Sequence, residues 1–410
     1  MNFNLIEVLS PAGDMERLLA AVHFGADAVY LAGKEFGMRT NPSNFSNEEL
    51  KIAVNYAHDN GVKVYLCCNT LVRNNELDRL PEFVQYAGEC GIDAFIVADI
   101  GVMALIQKYA PNVDIHVSTQ FGITNYAAAR RLYDLGASRV VLARELSLQE
   151  IECIRAKTPN SLEIEAFVHG AMCMSFSGRC MISAYLTGRD ANRGDCAQPC
   201  RWEYALTEKN RPGNYYPIEE DETGTYFFNS KDMCMIQHIP ELVKAGVTSL
   251  KIEGRAKSAY YVSVITNAYK NALNRYIESL EKSENFKLDD WIADEVNKIS
   301  HREYSTGFFF GDEPGQVYSN GGYIREYDVV AVCDKTENGF IYMTQRNRFY
   351  KGDVLNVLEP MKKPYDIVVE HMYDEFGNEI SVAPHAMQKI KVKSDKIIQS
   401  GAIFRVKRES

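Results

Sequence analysis

The sequence lacks the features that mark a membrane protein, a secreted scaffold or a disordered chain. No apolar run approaches the roughly 20 residues that a membrane helix requires, and residues 1–7 show no basic segment leading into an apolar stretch. Ten cysteines in 410 residues are too few for a disulfide framework. Apolar residues make up 46% of the chain and charged residues 24%, as in folded globular proteins. We therefore expect a folded, cytoplasmic protein of two or three domains, or one large barrel with an appendage.

An overall basic charge is also missing. The formal net charge is -10, so a nucleic-acid partner would have to be bound by a local basic patch. Residues 321–410 are the least acidic part, with 14 Lys and Arg against 13 Asp and Glu. Any such patch is therefore expected in this C-terminal segment.

Short β-branched segments alternate with amphipathic helices through the first 255 residues. Five glycines that are typical of helix ends precede most of these segments: Gly25, Gly61, Gly91, Gly136 and Gly246. Eight segments are apolar on both faces, as parallel strands covered by helices must be: Leu5 to Leu9, Ala28 to Leu31, Lys63 to Cys67, Ala94 to Ala98, Asp114 to Ser118, Arg139 to Ala143, Leu162 to Val168 and Ser249 to Ile252.

Eight β/α units predict an α/β fold of the TIM-type (β/α)8 barrel class. The alternative, an open doubly wound sheet, normally has a glycine-rich phosphate motif after its first strand, and Gly13 stands alone there. About 80 residues separate the seventh and eighth strands, and this insertion, at about 170–235, is expected to cover the carboxyl-terminal mouth of the barrel.

The pattern changes after the eighth strand. Helices are predicted over Ser258 to Leu280 and Asp289 to Ser300, followed by a connector at Thr306 to Gly311. Beyond Tyr323 short alternating segments with turn signals such as Asn338-Gly339 predict a small β-barrel. The predicted division is a barrel domain at 1–320 and a C-terminal domain at 321–410.

Polar residues follow the predicted strands at the end where a barrel builds its site. Arg144 and Arg255, with Lys251, provide cations that suit a carboxylate. The whole set is Ser10, Asn69, Asp99, Gln120, Arg144, Glu145, His169, Lys251, Glu253 and Arg255. So many charged groups on neighbouring strand ends would be costly to bury without a function, so the set predicts a site for an anionic small molecule.

Five cysteines fall in or beside the insertion: Cys173, Cys180, Cys196, Cys200 and Cys234. Their spacing lacks the close CxxC pairs of most structural zinc sites. Thiolates from dispersed loops favour an iron–sulfur cluster, with zinc or a purely structural or nucleophilic role as alternatives. The other five cysteines lie in strand or helix patterns and are expected in the core: Cys67, Cys68, Cys90, Cys153 and Cys333.

The run from Glu165 to Ser183, with the pattern E-x-F-x-H-G-A-M-C-x6-C-x-I-S, resembles the signature of the peptidase U32 family. The likeness covers essentially the whole chain. Further matching segments are Ser10-Pro11-Ala12-Gly13, Cys196-Ala197-Gln198-Pro199-Cys200-Arg201, Leu250-Lys251-Ile252-Glu253-Gly254-Arg255 and the C-terminal domain. Length and domain content are most similar to the branch that hydroxylates the wobble uridine of tRNA.

This resemblance implies an iron–sulfur-dependent enzyme that makes 5-hydroxyuridine in tRNA without oxygen and depends on prephenate, a dicarboxylate. It implies Cys173, Cys180, Cys196 and Cys234 as ligands of a 4Fe–4S cluster, with Cys200 as the alternative to Cys196. His169, Lys251 and Glu253 are then expected in the chemistry. Substrate contacts are expected from Asn69, Gln120, Arg144, Glu145 and Arg255. The implied partners are tRNA and the dicarboxylate, with a paralogous U32 subunit left open and no membrane.

Two other activities are compatible with the family. One is a peptidase, although the chain contains no HExxH or G-x-S-x-G motif, and no cysteine outside the cluster set has an obvious histidine partner. The other is hydroxylation of an rRNA cytidine or of a small aromatic ring. An anaerobically purified, coloured protein that cleaves no peptide would distinguish hydroxylation from proteolysis.

Overall fold

A computed structural model describes residues 6–38, 44–173, 175–176, 180–202, 206–207, 215–216, 220–221, 224–225, 230–311 and 323–408. The chain forms two compact units. The first comprises residues 1–22, 26–257 and 301–323, and the second comprises 23–25, 258–300 and 324–410. The predicted domain boundary at residue 320 falls outside the described residues, and the predicted division stays a prediction.

Eight parallel strands close into a barrel in the first unit, which confirms the predicted fold. They are β1 (Glu7–Pro11), β2 (Ala28–Ala32), β3 (Lys63–Cys68), β4 (Ala94–Val97), β5 (Asp114–Val117), β6 (Arg139–Val141), β7 (Glu163–Ala171) and β8 (Ser249–Ile252). Each strand pairs with its neighbour in sequence, and β8 pairs with both β7 and β1 to complete the ring. The observed strands lie within a few residues of the predicted ones, and Leu5 of the first prediction is outside the described residues.

Helices connect these strands. They are α1 (Met15–His23), α2 (Asn47–Asp59), α3 (Asn74–Leu77), α4 (Leu80–Glu89), α5 (Ile100–Tyr109), α6 (Tyr126–Asp134), α7 (Leu148–Ala156), α8 (Ile182–Thr187) and α9 (Ile239–Lys244). Ser46 begins α2 through a reciprocal capping box with Glu49. All five glycines predicted to end helices have positive φ values between 72° and 98°, a conformation that favours glycine.

The insertion between β7 and β8 contains α8, α9 and short 3₁₀ turns. Its strand Asp232–Cys234 pairs antiparallel with the end of β7, and Tyr304–Ser305 adds to it in parallel. Two pairs of two-residue strands join Leu206–Thr207 to Tyr215–Tyr216 and Glu220–Asp221 to Gly224–Thr225. Met174 and Ser177 to Arg179 of the family motif are outside the described residues.

The second unit contains α10 (Ala259–Glu281), α11 (Asp290–Glu295) and an antiparallel half-barrel. Its strands are β9 (Tyr327–Glu337), β10 (Phe340–Gln345), β11 (Val354–Leu358), β12 (Tyr365–Val368), β13 (Met372–Asp374), β14 (Lys389–Lys393) and β15 (Ile403–Lys407), in the order β12-β11-β15-β9-β10-β14-β13. A separate short pair joins Phe349–Tyr350 to Val382–Ala383. The C-terminal β-domain was therefore predicted correctly, whereas α11 ends five residues before the predicted Ser300.

The predicted Asn338-Gly339 hairpin is present. Both residues have positive φ, 51° and 77°, as a two-residue turn that matches strand twist requires. A buried ion pair also ties this unit together, because Arg405 in β15 donates to both carboxylate oxygens of Glu295 in α11 at 2.6 and 2.9 Å. Within the described part of the chain, no helix is long and apolar enough to cross a membrane.

Candidate active site at the barrel mouth

A cavity of about 520 Å³ lies at the carboxyl ends of the barrel strands. Strand-end residues and insertion residues line it together, which confirms that the insertion covers the mouth. Six of the ten predicted polar mouth residues line it: Asn69, Gln120, Arg144, Lys251, Glu253 and Arg255. Asp99 instead caps α5, because its Oδ1 accepts from the backbone N–H groups of Gly101 and Val102. Ser10 and Glu145 are not among the lining residues.

Of the three strand-end cations at the mouth, two are neutralised within the protein, and the fourth cation that lines the cavity, Arg189 of the insertion, pairs with Asp195. Arg144 donates from Nη2 to Glu253 at 3.1 Å, and its guanidinium lies 3.9 Å from the centroid of the Phe167 ring. Lys251 Nζ lies 2.5 Å from Glu165 Oε1, and it also sits over the Tyr30 ring at 4.5 Å. These pairs orient the two cations and offset the cost of removing them from water.

Arg255 differs from these two cations. It is 93% buried, being 7% exposed, and it lines the cavity. Its Nη1 atom has no hydrogen-bond partner, and it forms no ion pair with any described residue. A buried guanidinium is costly unless a counter-charge accompanies it. Among the described residues, Arg255 is therefore a cation of the cavity wall without a counter-charge, a feature suited to an anionic ligand.

Beneath the cavity lies a network of charged side chains that we call the floor network: Glu7, Tyr65, Arg139, Glu163, Glu165 and Ser249. Arg139, 3% exposed, contacts Glu7 at 2.5 Å, Glu163 at 2.5 Å and Glu165 at 3.1 Å. Tyr65 and Ser249 donate to the two oxygens of Glu7 at 2.8 Å. Arg139 and these hydrogen bonds hold the pKa of Glu7 below its ordinary value although burial opposes this. Every carboxylate of the network has a cationic or hydroxyl partner.

Glu165 connects the floor network to the cavity, and the sequence reasoning assigned it no role. It is fully buried, and its two oxygens contact Lys251 and Arg139. The sequence did contain an indication of this role, because a glutamate inside an otherwise apolar parallel strand must meet a cation in the barrel interior. Glu165 therefore positions Lys251 from below.

His169 does not line the cavity, because β7 contains a bulge. Lys251 pairs with Phe167, but the next residue, Ile252, pairs with His169, so Val168 is an extra residue between them. Residues in register share a face of the sheet. His169 therefore shares the face of Ile252 rather than that of Phe167 and Lys251, and it is not among the residues that line the cavity.

The environment of His169 keeps its imidazole neutral. The side chain is 1% exposed, and its ring centroid lies 5.4 Å from that of Tyr304, on which His301 stacks. Burial, with lesser contributions from His301 and Lys257, lowers the pKa of His169 to about 3. Its predicted part in the chemistry stays a prediction, and the geometry places its ring among aromatic neighbours.

Four thiols of the insertion line the cavity: Cys173, Cys180, Cys196 and Cys200. None of the ten cysteines forms a disulfide. Cys234 pairs in register with His169 and is not among the residues that line the cavity. Within the described ranges, no three His, Cys, Asp or Glu side chains converge to metal-binding distance. The donors on the cavity match a thiolate-bound cluster in kind.

The cysteines predicted in the core follow that prediction with one exception. Cys67, Cys68, Cys90 and Cys333 are buried, and burial raises the pKa of each of these thiols. Cys67 also lines the cavity, where the positive charges of Arg255 and Lys251 partly offset the rise in its pKa that burial causes. Cys153 is exposed, which corrects the prediction, because α7 buries Ile151 and Ile154 and turns the intervening face outward.

Comparison with known proteins places these features in a family. The model of peptidase family U32 matches residues 13–318, and that of the family U32 C-terminal domain matches residues 325–405. The chain is 36% identical over 404 residues to tRNA hydroxylation protein P1 of Bacillus subtilis, covering 97% of this chain and 94% of that protein.

Two further relatives are similar over most of their length. The tRNA hydroxylation protein P of Escherichia coli is 33% identical over 421 residues, covering 92% of this chain and 91% of that protein. An uncharacterized protease of Methanocaldococcus jannaschii is 44% identical over 313 residues, covering 75% and 74%. The two family models together match nearly the whole chain, from residue 13 to residue 405, and the chain belongs to peptidase family U32.

Proposed function

We propose that this protein hydroxylates tRNA, converting the wobble uridine to 5-hydroxyuridine in an iron–sulfur-dependent, prephenate-dependent and oxygen-independent reaction. Support comes from two relatives named tRNA hydroxylation proteins, each matched over more than 90% of this chain. The observation that carries the proposal is the cavity itself, which is lined both by four thiols of the insertion and by Arg255, a cation with no counter-charge among the described residues.

The thiols are the proposed cluster ligands. A 4Fe–4S cluster supplies one-electron transfer when it is bound by thiolates. Cys173, Cys180 and Cys196 lie on the cavity, and the fourth ligand in the proposal is Cys234. Cys200 is the geometric alternative, since it lines the cavity and Cys234 does not. Loss of iron in only one of Cys200→Ala and Cys234→Ala identifies the fourth ligand.

Arg255 is the proposed partner of the co-substrate carboxylate. Arg144 and Lys251 are held by Glu253 and Glu165, so they contribute fixed, locally neutral groups. The Arg255 guanidinium has donors left over, and a planar carboxylate matches their geometry. The apolar faces of Tyr30 and Phe167 form part of the same wall and suit a ring compound such as prephenate.

The test is nucleoside analysis of tRNA from a strain that lacks the gene and carries the wild-type protein, Arg255→Gln or Cys180→Ala. We expect 5-hydroxyuridine only with the wild-type protein, and low iron only in Cys180→Ala. Lys396→Gln, an exposed change in the second unit, is the control and should behave as wild type. Unchanged 5-hydroxyuridine in the strain without the gene would overturn the proposal.

A peptidase is the second candidate, because the archaeal relative is named a protease. The same purified protein should then cleave a casein or gelatin substrate, and Cys180→Ala should not change its iron content. Hydroxycytidine measured in rRNA from the same strains distinguishes the third possibility, an rRNA hydroxylase. A change in hydroxycytidine without one in 5-hydroxyuridine would reassign the substrate.

A further inference from the structure

The outer face of the C-terminal half-barrel carries an ordered set of lysines and aromatic rings. Strand registers place Lys335 of β9 opposite Tyr342 of β10, Tyr342 opposite Lys391 of β14, and Lys391 opposite Tyr373 of β13. Basic and aromatic side chains thus alternate in one row across four strands. We call the surface formed by Lys335, Phe340, Tyr342, Tyr373, Lys389, Lys391 and Lys393 the aromatic–lysine face.

Strand alternation explains why these side chains point outward together. Ile390 and Val392 of β14 are in the core of the second unit, so Lys389, Lys391 and Lys393 face the other way. On β10, Ile341 and Met343 are buried in the same core. Phe340 and Tyr342 therefore stand beside Lys393 and Lys391, which they oppose in register.

The rings and the ammonium groups are in contact across the strands. Lys391 Nζ lies 5.1 Å from the centroid of Phe340 and 5.8 Å from that of Tyr373, and these two rings meet edge to face at 5.8 Å. Lys335 Nζ lies 5.0 Å from the Tyr342 centroid. Phe340, Tyr342 and Tyr373 are half-buried, so part of each ring remains accessible to solvent.

The charge of this face is not balanced by its own carboxylates. Lys335 pairs with Glu337 and Lys389 with Asp334, both at exposed positions where such pairs contribute little. Lys391 and Lys393 form no ion pair with any described residue. They lie two residues apart on one strand, about 6.8 Å, and thus present two cations in line. The surface is locally basic on a chain whose net charge is -10.

We propose that the aromatic–lysine face binds single-stranded or loop RNA, with bases stacked on Tyr342, Phe340 and Tyr373 and phosphates on Lys391 and Lys393. Interleaved rings and cations are the surface that unpaired nucleic acid needs, since every base has a π face and every nucleotide a phosphate. A protein partner is disfavoured because lysine is depleted at protein interface cores. The inference rests on the proposed function, since it makes the RNA substrate the ligand of a second surface.

The test measures binding of the full-length protein to a fluorescein-labelled anticodon stem–loop RNA with uridine at the wobble position. Fluorescence anisotropy is recorded between about 50 and 200 mM salt. The double variant Lys391→Gln/Lys393→Gln should weaken binding, and the slope of log Kd against log salt should fall by about 1.4, or about 0.7 for each lost single-strand phosphate contact. Tyr342→Leu should weaken binding about tenfold without changing the slope.

Two controls separate this role from a structural one. Tyr342→Phe keeps the ring and should restore wild-type binding. Lys396→Gln removes another exposed lysine that lies over a ring, that of Tyr365 at 4.2 Å, and should leave affinity and slope unchanged. Thermal unfolding of each variant checks that the second unit remains folded.

Each outcome decides the inference. Wild-type affinity and slope in both the lysine and Tyr342→Leu variants would overturn it while leaving the proposed function in place. Absence of RNA binding by the wild-type protein would also overturn it. If the variants lose RNA binding as expected but the wild-type protein makes no 5-hydroxyuridine, the inference stands and the proposed function fails.

Discussion

The floor and the mouth of the barrel differ in whether their buried arginines have a counter-charge. In the floor network the central cation, Arg139, is surrounded by carboxylates of Glu7, Glu163 and Glu165, so the charges neutralise one another. At the mouth Arg255 is also buried but has no such partner among the described residues. A charge that the fold satisfies serves stability, whereas a charge that it leaves unsatisfied is available to a ligand.

The largest loss of stability is expected when the floor network loses its cation, Arg139. Arg139→Met leaves the carboxylates of Glu7 and Glu165 buried without their shared counter-charge, so the free energy of unfolding should fall by about 3 to 5 kcal/mol. Urea unfolding followed by circular dichroism measures this loss. A loss below about 1 kcal/mol, the value expected for an exposed pair, would contradict the structural role of the network.

Stability should fall at acid pH because His169 is neutral in the folded protein. The pKa of His169 in the folded protein is about 3, below the ordinary 6.5. As the pH falls, this imidazole is therefore protonated at a higher pH in the unfolded chain than in the folded protein, which favours unfolding. Stability should therefore be full above pH 6.5 and decline as the pH falls towards 3, by a few kcal/mol at most. Urea midpoints measured between pH 7 and about 4.5 follow this window before most carboxylates titrate.

His169→Gln provides the control for that pH dependence. The variant has no titrating imidazole at this position, so its stability should vary less with pH over the same interval. His116 remains as a second neutral histidine, because burial and the charges of Arg139 and Lys251 keep its pKa well below the ordinary value. An identical pH dependence in the variant and the wild type would rule out His169 as the source.

Loss of Arg255 at the mouth should change stability in the opposite direction to loss of Arg139 in the floor network. Arg255→Gln removes an unpaired buried charge, so stability should stay constant or rise, while prephenate affinity falls about ten- to a hundredfold. Isothermal titration calorimetry and urea unfolding report the two effects separately. Arg144→Gln is the matched control, because it removes the ion pair between Arg144 and Glu253 and should lower stability. A large loss of stability in Arg255→Gln would show that the guanidinium is structural.

The smallest effect is expected at the exposed rim. Arg189 and Asp195 form a pair at 2.8 Å with 53% and 47% of their side chains exposed. Arg189→Gln should change the free energy of unfolding by less than about 1 kcal/mol. Urea unfolding of this variant beside Arg139→Met gives the contrast between exposed and buried ion pairs within one barrel. Equal losses in the two variants would remove that contrast.

Local patterns account for most of what could be predicted. Apolar segments of strand length, helix-ending glycines and the Asn338-Gly339 turn depend on near neighbours in the chain, so the barrel and the C-terminal β-domain followed from them. The six polar residues that line the cavity followed from one rule, that strand ends converge. Asp99 is an exception to this rule because its carboxylate caps α5 instead. Cys153 was wrongly predicted to be buried because helical spacing alone did not separate its face of α7 from that of Ile154.

The (β/α)8 class, the insertion that covers the mouth and the set of thiols and cations from which a site is built all follow from sequence patterns. Which of these groups meet depends on how the strands and loops pack. A single extra residue in β7 placed His169 in register with Ile252 rather than with Lys251. Pairing left Arg255, rather than Arg144 or Lys251, without a counter-charge among the described residues. Strand register aligned Lys391 with Tyr342 and Tyr373. The physical reason is that strand periodicity is a local property, whereas charge pairing and register depend on partners that are distant in the chain.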